Sequence, residues 1–256
     1  MMDTTDAPQK KVRAWSHLLL AALVVGLVVG AFWLKSRAKP APSSAARAEA
    51  TESLLARGIR EHNAGALDAA MDLYYKVLQR EPAHPQAHYN IAQIYNARGQ
   101  YAKAQWEYEA TLKAEPQSVN ARINLGVVLY RQRQFAAAAQ EFRKVLEASP
   151  KNALALFDLG ITVLELGQTD EAIRWLTAAL RENPKGGDAH YYLGLAFERK
   201  RRFGEARAEL LKVLETSPRY APAYAALARV YSAQGEPRLA QEASAKAAEL
   251  DPRLKR

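Results

Sequence analysis

Side chains able to do covalent or acid–base chemistry are few in this chain of 256 residues, and they do not converge. The five histidines are His17, His62, His84, His88 and His190, and none stands at metal-ligating spacing with carboxylates on a shared face. With 0 cysteines there is no thiol nucleophile, no disulfide and no Cys-ligated zinc, a usage that slightly favours an oxidising compartment. No phosphate loop, dinucleotide fingerprint or nucleophile elbow occurs. The sequence therefore predicts no enzyme, no cofactor and no metal.

What recurs instead is a set of side chains suited to holding another polypeptide. Asn90, Asn124 and Asp158 follow one another at intervals of 34, and stacked amides can hydrogen-bond a peptide backbone of either polarity. Tyr192 and Ala226 break the series further on. Around it lies a stripe that begins with Tyr89 and Gln93. It continues through Ile123, Val127 and Tyr130, then Phe157, Ile161 and Leu164, and ends with Tyr191 and Leu195. The middle of the stripe is apolar and aromatic, and its ends are polar, with Gln86, Gln93 and Asn96 at one and Asp188 and Glu198 at the other. A contiguous apolar patch facing water marks a site for a partner, whereas the same stripe buried between neighbouring elements is core. Both readings stand at this point. Replacing Phe157 and Ile161 with Ser separates them.

The formal charge of +9 invites a nucleic-acid reading, but its distribution weakens that. Residues 1–50 carry seven basic and three acidic residues, and residues 51–254 carry 27 and 24, so the bulk of the chain is nearly balanced. Arg199, Lys200, Arg201 and Arg202 form the densest basic run, without interleaved aromatics or a groove-reading motif. Most such runs are solvated; contact with lipid headgroups or an acidic partner is the functional alternative. Nucleic acid is not the expected partner.

The elements that must position these residues are announced by proline. Pro82, Pro116, Pro150, Pro184, Pro218 and Pro252 lie 34 apart without a slip. They define units 51–84, 85–118, 119–152, 153–186, 187–220 and 221–254, which leave no room for a separate catalytic domain. Position 8 of each unit is small: Gly58, Ala92, Gly126, Gly160, Gly194 and Ala228. Position 20 is always alanine, from Ala70 to Ala240. Position 24 is large in the first five: Tyr74, Tyr108, Phe142, Leu176 and Leu210. Positions 4, 7, 8 and 11 share one face of a helix, and 20, 24 and 27 share one face of a second. Gly65, Gly99, Gly167 and Gly235 punctuate the turn between them, where Arg133 and Arg201 stand in units three and five.

This pattern closely resembles the tetratricopeptide repeat family over about four fifths of the chain. The resemblance implies an all-α fold, a right-handed superhelix of six stacked helix pairs, with the stripe above on its concave face. It also implies protein–protein recognition. The asparagine series is similar to the ladder in the repeat domain of the eukaryotic O-linked N-acetylglucosamine transferases. The chaperone-tail receptors of the family hold a C-terminal carboxylate with Lys and Asn, where this chain has Leu55 and Ile59, then Tyr89 and Gln93, so that mode is not expected. In unit one Arg57 and Glu61 occupy apolar positions, and in unit six Ser244 replaces the large residue, as water-facing ends require. His88 and His190 occupy a packing position and read as core. No separate capping helix is expected after Arg256.

Ahead of the repeats, Leu18–Leu34 is 17 residues without a charge, flanked by Trp15 and Trp33. It is expected to be a transmembrane helix, an uncleaved anchor rather than a signal peptide, because Lys35, Arg37 and Lys39 follow where a small cleavage site would lie. Residues 1–17 form a short basic segment expected in the cytoplasm, with the repeats in the periplasm and residues 35–50 a flexible tether. Within the span Ala22, Gly26 and Gly30 make one smooth face, a candidate for homodimerisation although such residues are common in membrane helices. Lys255 and Arg256 form a basic tail. The sequence thus reads as an inner-membrane scaffold that binds a segment of another protein in envelope assembly or secretion. Such a scaffold could act as a holdase or as a specific assembly platform. The alternative is a regulatory or accessory subunit of a separately encoded enzyme such as a glycosyltransferase.

Overall fold

The computed structural model describes residues 43–254, apart from the side chain of Ala46. The expected transmembrane segment 18–34, with Ala22, Gly26 and Gly30, lies outside the described residues, as does the basic tail. Among the described residues no helix is long and apolar enough to cross a membrane.

Twelve α-helices are present among the described residues, in the order α1 (Ser44–Asn63), α2 (Leu67–Arg80), α3 (Pro85–Ala97), α4 (Tyr101–Ala114), α5 (Val119–Arg131), α6 (Phe135–Ala148), α7 (Ala153–Glu165), α8 (Thr169–Glu182), α9 (Gly187–Arg199), α10 (Phe203–Thr216), α11 (Ala221–Ala233) and α12 (Pro237–Leu250). A single 3₁₀ turn, Pro252–Leu254, follows. The chain divides into two compact units at Ala50/Thr51, and the repeats occupy the second.

One boundary differs from the sequence reading. The tether was expected to run to residue 50, yet α1 is already helical from Ser44. Ala45, Ala46, Arg47, Ala48, Glu49 and Ala50 are strong helix formers, and they outweigh the Pro and Ser that precede them.

Within each repeat the two helices meet where the small residues allow. A Cβ at Gly126 would stand 2.6 Å from Phe142 Cε1, and one at Gly160 would stand 2.8 Å from Leu176 Cγ. The missing side chain lets the large residue of the second helix lie flat against the first. Tyr74, Tyr108, Phe142, Leu176 and Leu210 are consequently fully buried, each beside the position-20 alanine of its own helix. Each of these five side chains adds about 1.5–3 kcal/mol of hydrophobic stabilisation.

The turn between the paired helices has one form throughout. The amide three residues beyond the end of the first helix donates five residues back, as in Gln134 to the Leu129 carbonyl and Arg202 to the Phe197 carbonyl, each at 2.9 Å. That Schellman closure needs a left-handed residue just past the helix. Gly65, Gly99, Gly167 and Gly235 supply it with φ between 68° and 80°. Arg133 and Arg201 adopt it at φ 61° and 58°. The backbone at those two arginines is therefore strained by about 1 kcal/mol each.

First helices of successive repeats also pack on one another: α5 on α7, α7 on α9, and α9 on α11. Their facing side chains form a continuous wall, and the candidate site is on it.

Candidate partner-binding groove

The wall is built from α3, α5, α7 and α9. Of the thirteen side chains read from the sequence, nine are half-buried on it: Tyr89, Gln93, Asn124, Val127, Tyr130, Phe157, Ile161, Tyr191 and Leu195. Four are buried: Asn90, Ile123, Asp158 and Leu164. Ile123 and Leu164 belong to the same apolar core as Leu129 and Phe142. Part of the stripe is therefore core and part lines an open surface.

The two asparagines are engaged inside the chain. Asn124 Nδ2 donates to the Tyr89 hydroxyl at 3.0 Å, and Asn90 Oδ1 accepts from Gln86 Nε2 at 3.0 Å. Asn90 Nδ2 is buried without a partner. This pre-orients the amides without leaving a row of free ones.

Asp158 stands apart from both. It occupies the same repeat position, is 8% exposed, and its Oδ2 has no hydrogen-bond partner. Burial pushes its carboxyl up to about 7, with no neighbouring cation drawing it down. Its main-chain carbonyl accepts from Thr162 Oγ1 at 2.5 Å, a bond internal to α7.

Asp158 lines a hollow of about 400 Å³, with Val127, Tyr130 and Arg131 on one side and Phe157, Ile161, Asp188, Tyr192 and Tyr220 completing it. A second hollow of about 390 Å³ shares Phe157 and Asp188 and reaches Leu154, which is 54% exposed. Rings connect the wall: Phe157 meets Tyr192 edge-on at 5.9 Å between centroids, Tyr192 meets Tyr191 at 5.4 Å, and Tyr191 meets Tyr220 at 5.3 Å. Edge-to-face pairs of this kind hold one another in place. The Tyr130, Tyr191 and Tyr192 hydroxyls are all raised above the usual phenol range, first by burial.

Arg131, Tyr192 and Tyr220 were not among the site residues read from the sequence. Tyr192 carried a usable signal, since it lies 34 residues after Asp158 and hence next in the series. Arg131 and Tyr220 sit at helix ends, where the helical face pattern no longer indicates direction.

On the face of the first helices that packs against the second, where His88 and His190 read as core from the sequence, is a further motif. His88 Nδ1 meets Glu107 Oε2 at 2.6 Å while its Nε2 donates to the Pro82 carbonyl at 2.9 Å. His190 repeats this with Glu209 at 2.5 Å and the Pro184 carbonyl at 3.2 Å. Arg122 does the same with Glu141 at 3.0 Å and the Pro116 carbonyl. Each clasp joins a repeat's first helix to its second and to the proline turn before it. Burial raises the Glu107 carboxyl, and the hydrogen bond and charge of His88 oppose that rise. Both ring nitrogens of His88 and His190 are thus committed to the fold. Among the described residues no group of three His, Asp or Glu is placed to hold a metal.

Profiles described as tetratricopeptide repeat match residues 89–153 and 157–221, and another of the same description matches 221–254. The chain belongs to the tetratricopeptide repeat family. No curated protein matches it. Among solved structures it is similar to pilF of Pseudomonas aeruginosa, with TM-score 0.68 and 19% identity over 80% of this chain and 94% of that one. It is similar to MamA of Desulfovibrio magneticus RS-1, with TM-score 0.62 and 22% identity over 66% of this chain and 96% of that one. A third is YrrB, described as a repeat protein with an unusual peptide-binding site, with TM-score 0.59 and 21% identity over 71% and 95% of the two chains. At these identities the likeness establishes the fold.

Proposed function

We propose that this chain is a membrane-tethered scaffold whose groove, walled by α3, α5, α7 and α9, binds an extended or apolar segment of a partner protein. The observation that carries this is the aromatic and aliphatic wall at Val127, Tyr130, Phe157, Ile161 and Leu195, which stays half-exposed beside two hollows although the repeats have a full core elsewhere. The peptide-binding site named for the structurally similar YrrB supports the same use of the fold.

The tether rests on the uncharged run Leu18–Leu34 and the bases around it. With the N-terminus cytoplasmic, the repeats face the periplasm and serve envelope assembly or secretion. Alkaline phosphatase fused after Arg256 is then active, and a cytoplasmic reporter at the same place is silent; the reverse pair overturns this orientation.

The groove is tested by the double change Phe157→Ser with Ile161→Ser in the full-length chain, crosslinked in its native membrane. Near-parental helicity with loss of the crosslinked partners is the expected result. Collapse of the fold would show that the wall is core, and unchanged partners would show that they bind elsewhere.

A further inference from the structure

The hollow beneath Asp158 has a chemical bias that the groove as a whole does not. Two carboxylates among the described residues are buried, Glu107 and Asp158. Glu107 is held by His88 at 2.6 Å, and Asp158 has no cation within ion-pair distance. A buried carboxylate without a counter-ion is costly in the folded chain alone, and a ligand able to neutralise it removes that cost.

The surroundings are mostly of the same sign. Burial is the first cause that raises the Tyr130, Tyr192 and Tyr220 hydroxyls. Beyond it Glu165 and Asp158 raise that of Tyr130, Asp188 and Glu165 that of Tyr192, and Asp188 that of Tyr220, while Arg131 opposes them at Tyr130 and Tyr192. Among the described residues Arg131 is the one cation lining the hollow, and it is exposed. Phe157 and Tyr192 line the same hollow as the carboxylate, and among the described residues no cation lies over either ring. Aromatic rings beside an acid bind ammonium and guanidinium groups and disfavour anions.

We propose that the hollow between α5, α7 and α9 receives a lysine or arginine side chain of the bound segment, with Asp158 as its counter-ion and Tyr130, Phe157 and Tyr192 as its walls. This rests on the groove reading above and names the chemistry of its ligand. The neighbouring hollow, reached across Phe157 and Asp188, takes an adjacent apolar side chain on Leu154. The preferred segment is therefore basic at one position and apolar beside it.

The test uses fluorescent peptides of about 12 residues, alternating leucine and serine, with Lys, Arg, Gln or Glu at the centre. Anisotropy is read against the full-length parent and its Asp158→Asn and Phe157→Ser variants at pH 7.5. The Lys and Arg peptides are expected to bind at least about tenfold tighter than the Gln peptide, with the Glu peptide weakest. Asp158→Asn keeps the Gln affinity and brings Lys to within about threefold of it, because Asn already occupies this repeat position at Asn90 and Asn124 and folds there. Equal Lys and Gln binding in the parent, with all peptides weakened by Phe157→Ser, overturns the cationic receptor and leaves the groove. A Lys preference that survives Asp158→Asn also overturns it. No binding by any peptide up to about 1 mM, or binding indifferent to Phe157→Ser, overturns receptor and groove together.

Discussion

Asp158→Asn should make the unliganded protein more stable at neutral and alkaline pH. An unfolded aspartate titrates at 3.8, whereas burial raises the folded carboxyl to about 7. Below 3.8 both states are protonated and the group is neutral to stability. Between 3.8 and about 7 the folded chain holds a proton that the unfolded chain has released, so stability falls as pH rises through that window. At about 1.4 kcal/mol per pH unit the full loss is on the order of 4 kcal/mol, complete above pH 7. The side chain is 8% exposed, so little solvent screening reduces this figure. Asparagine has the same shape without the charge. Urea unfolding of parent and variant, followed by circular dichroism from pH 4 to 8, should give a difference that starts near zero or slightly unfavourable. It should grow in favour of the variant by about 2–4 kcal/mol and level off near pH 8. A difference flat across pH 5–8 would mean that Asp158 ionises without penalty, and the reasoning about its isolation would fail.

Three further changes follow from the fold. Glu107→Ala leaves His88 Nδ1 buried without its 2.6 Å partner and should cost about 2–4 kcal/mol by urea unfolding, with most of it restored by Glu107→Gln. Arg133→Gly and Arg201→Gly relieve left-handed backbone at φ 61° and 58° and should each raise stability by about 0.5–1 kcal/mol, additively because they sit in different repeats. Gly126→Leu drives a side chain into the Phe142 ring, 2.6 Å from the added Cβ, and should cost about 3 kcal/mol in a thermal melt, whereas Gly126→Ala should cost less because Ala92 already packs beside Tyr108.

The helix pairs were legible because their determinants are local and periodic. A proline that cannot continue a helix, a glycine that takes positive φ and a small residue under a large one each announce themselves at a fixed offset. The same periodicity exposed Arg133 and Arg201 as residues in a glycine's place, and the backbone there has the glycine conformation. The groove was legible only as a stripe. Ile123 and Leu164 share the face of Val127 and Ile161 but are buried in the core, and how much of a face the neighbouring helices cover is a tertiary property. Asp158 read as a variant of Asn90 and Asn124, since an acid and an amide accept the same hydrogen bonds. Its lack of a hydrogen-bond or ion-pair partner among the described residues becomes visible only when the surrounding helices are in place. The clasps of His88, Arg122 and His190 join residues 19 apart on different helices, a spacing that carries no signal until the repeat register is known.

The central claim is that partners lie along the wall of α5, α7 and α9. Photo-crosslinking amino acids placed singly at Leu154 and at Ile161, with a control at exposed Glu215 on α10, test it in the living cell. The account predicts a shared set of partner adducts from Leu154 and Ile161, absent from the Glu215 control. Adducts from Glu215 alone, or the same adducts from all three, would contradict it.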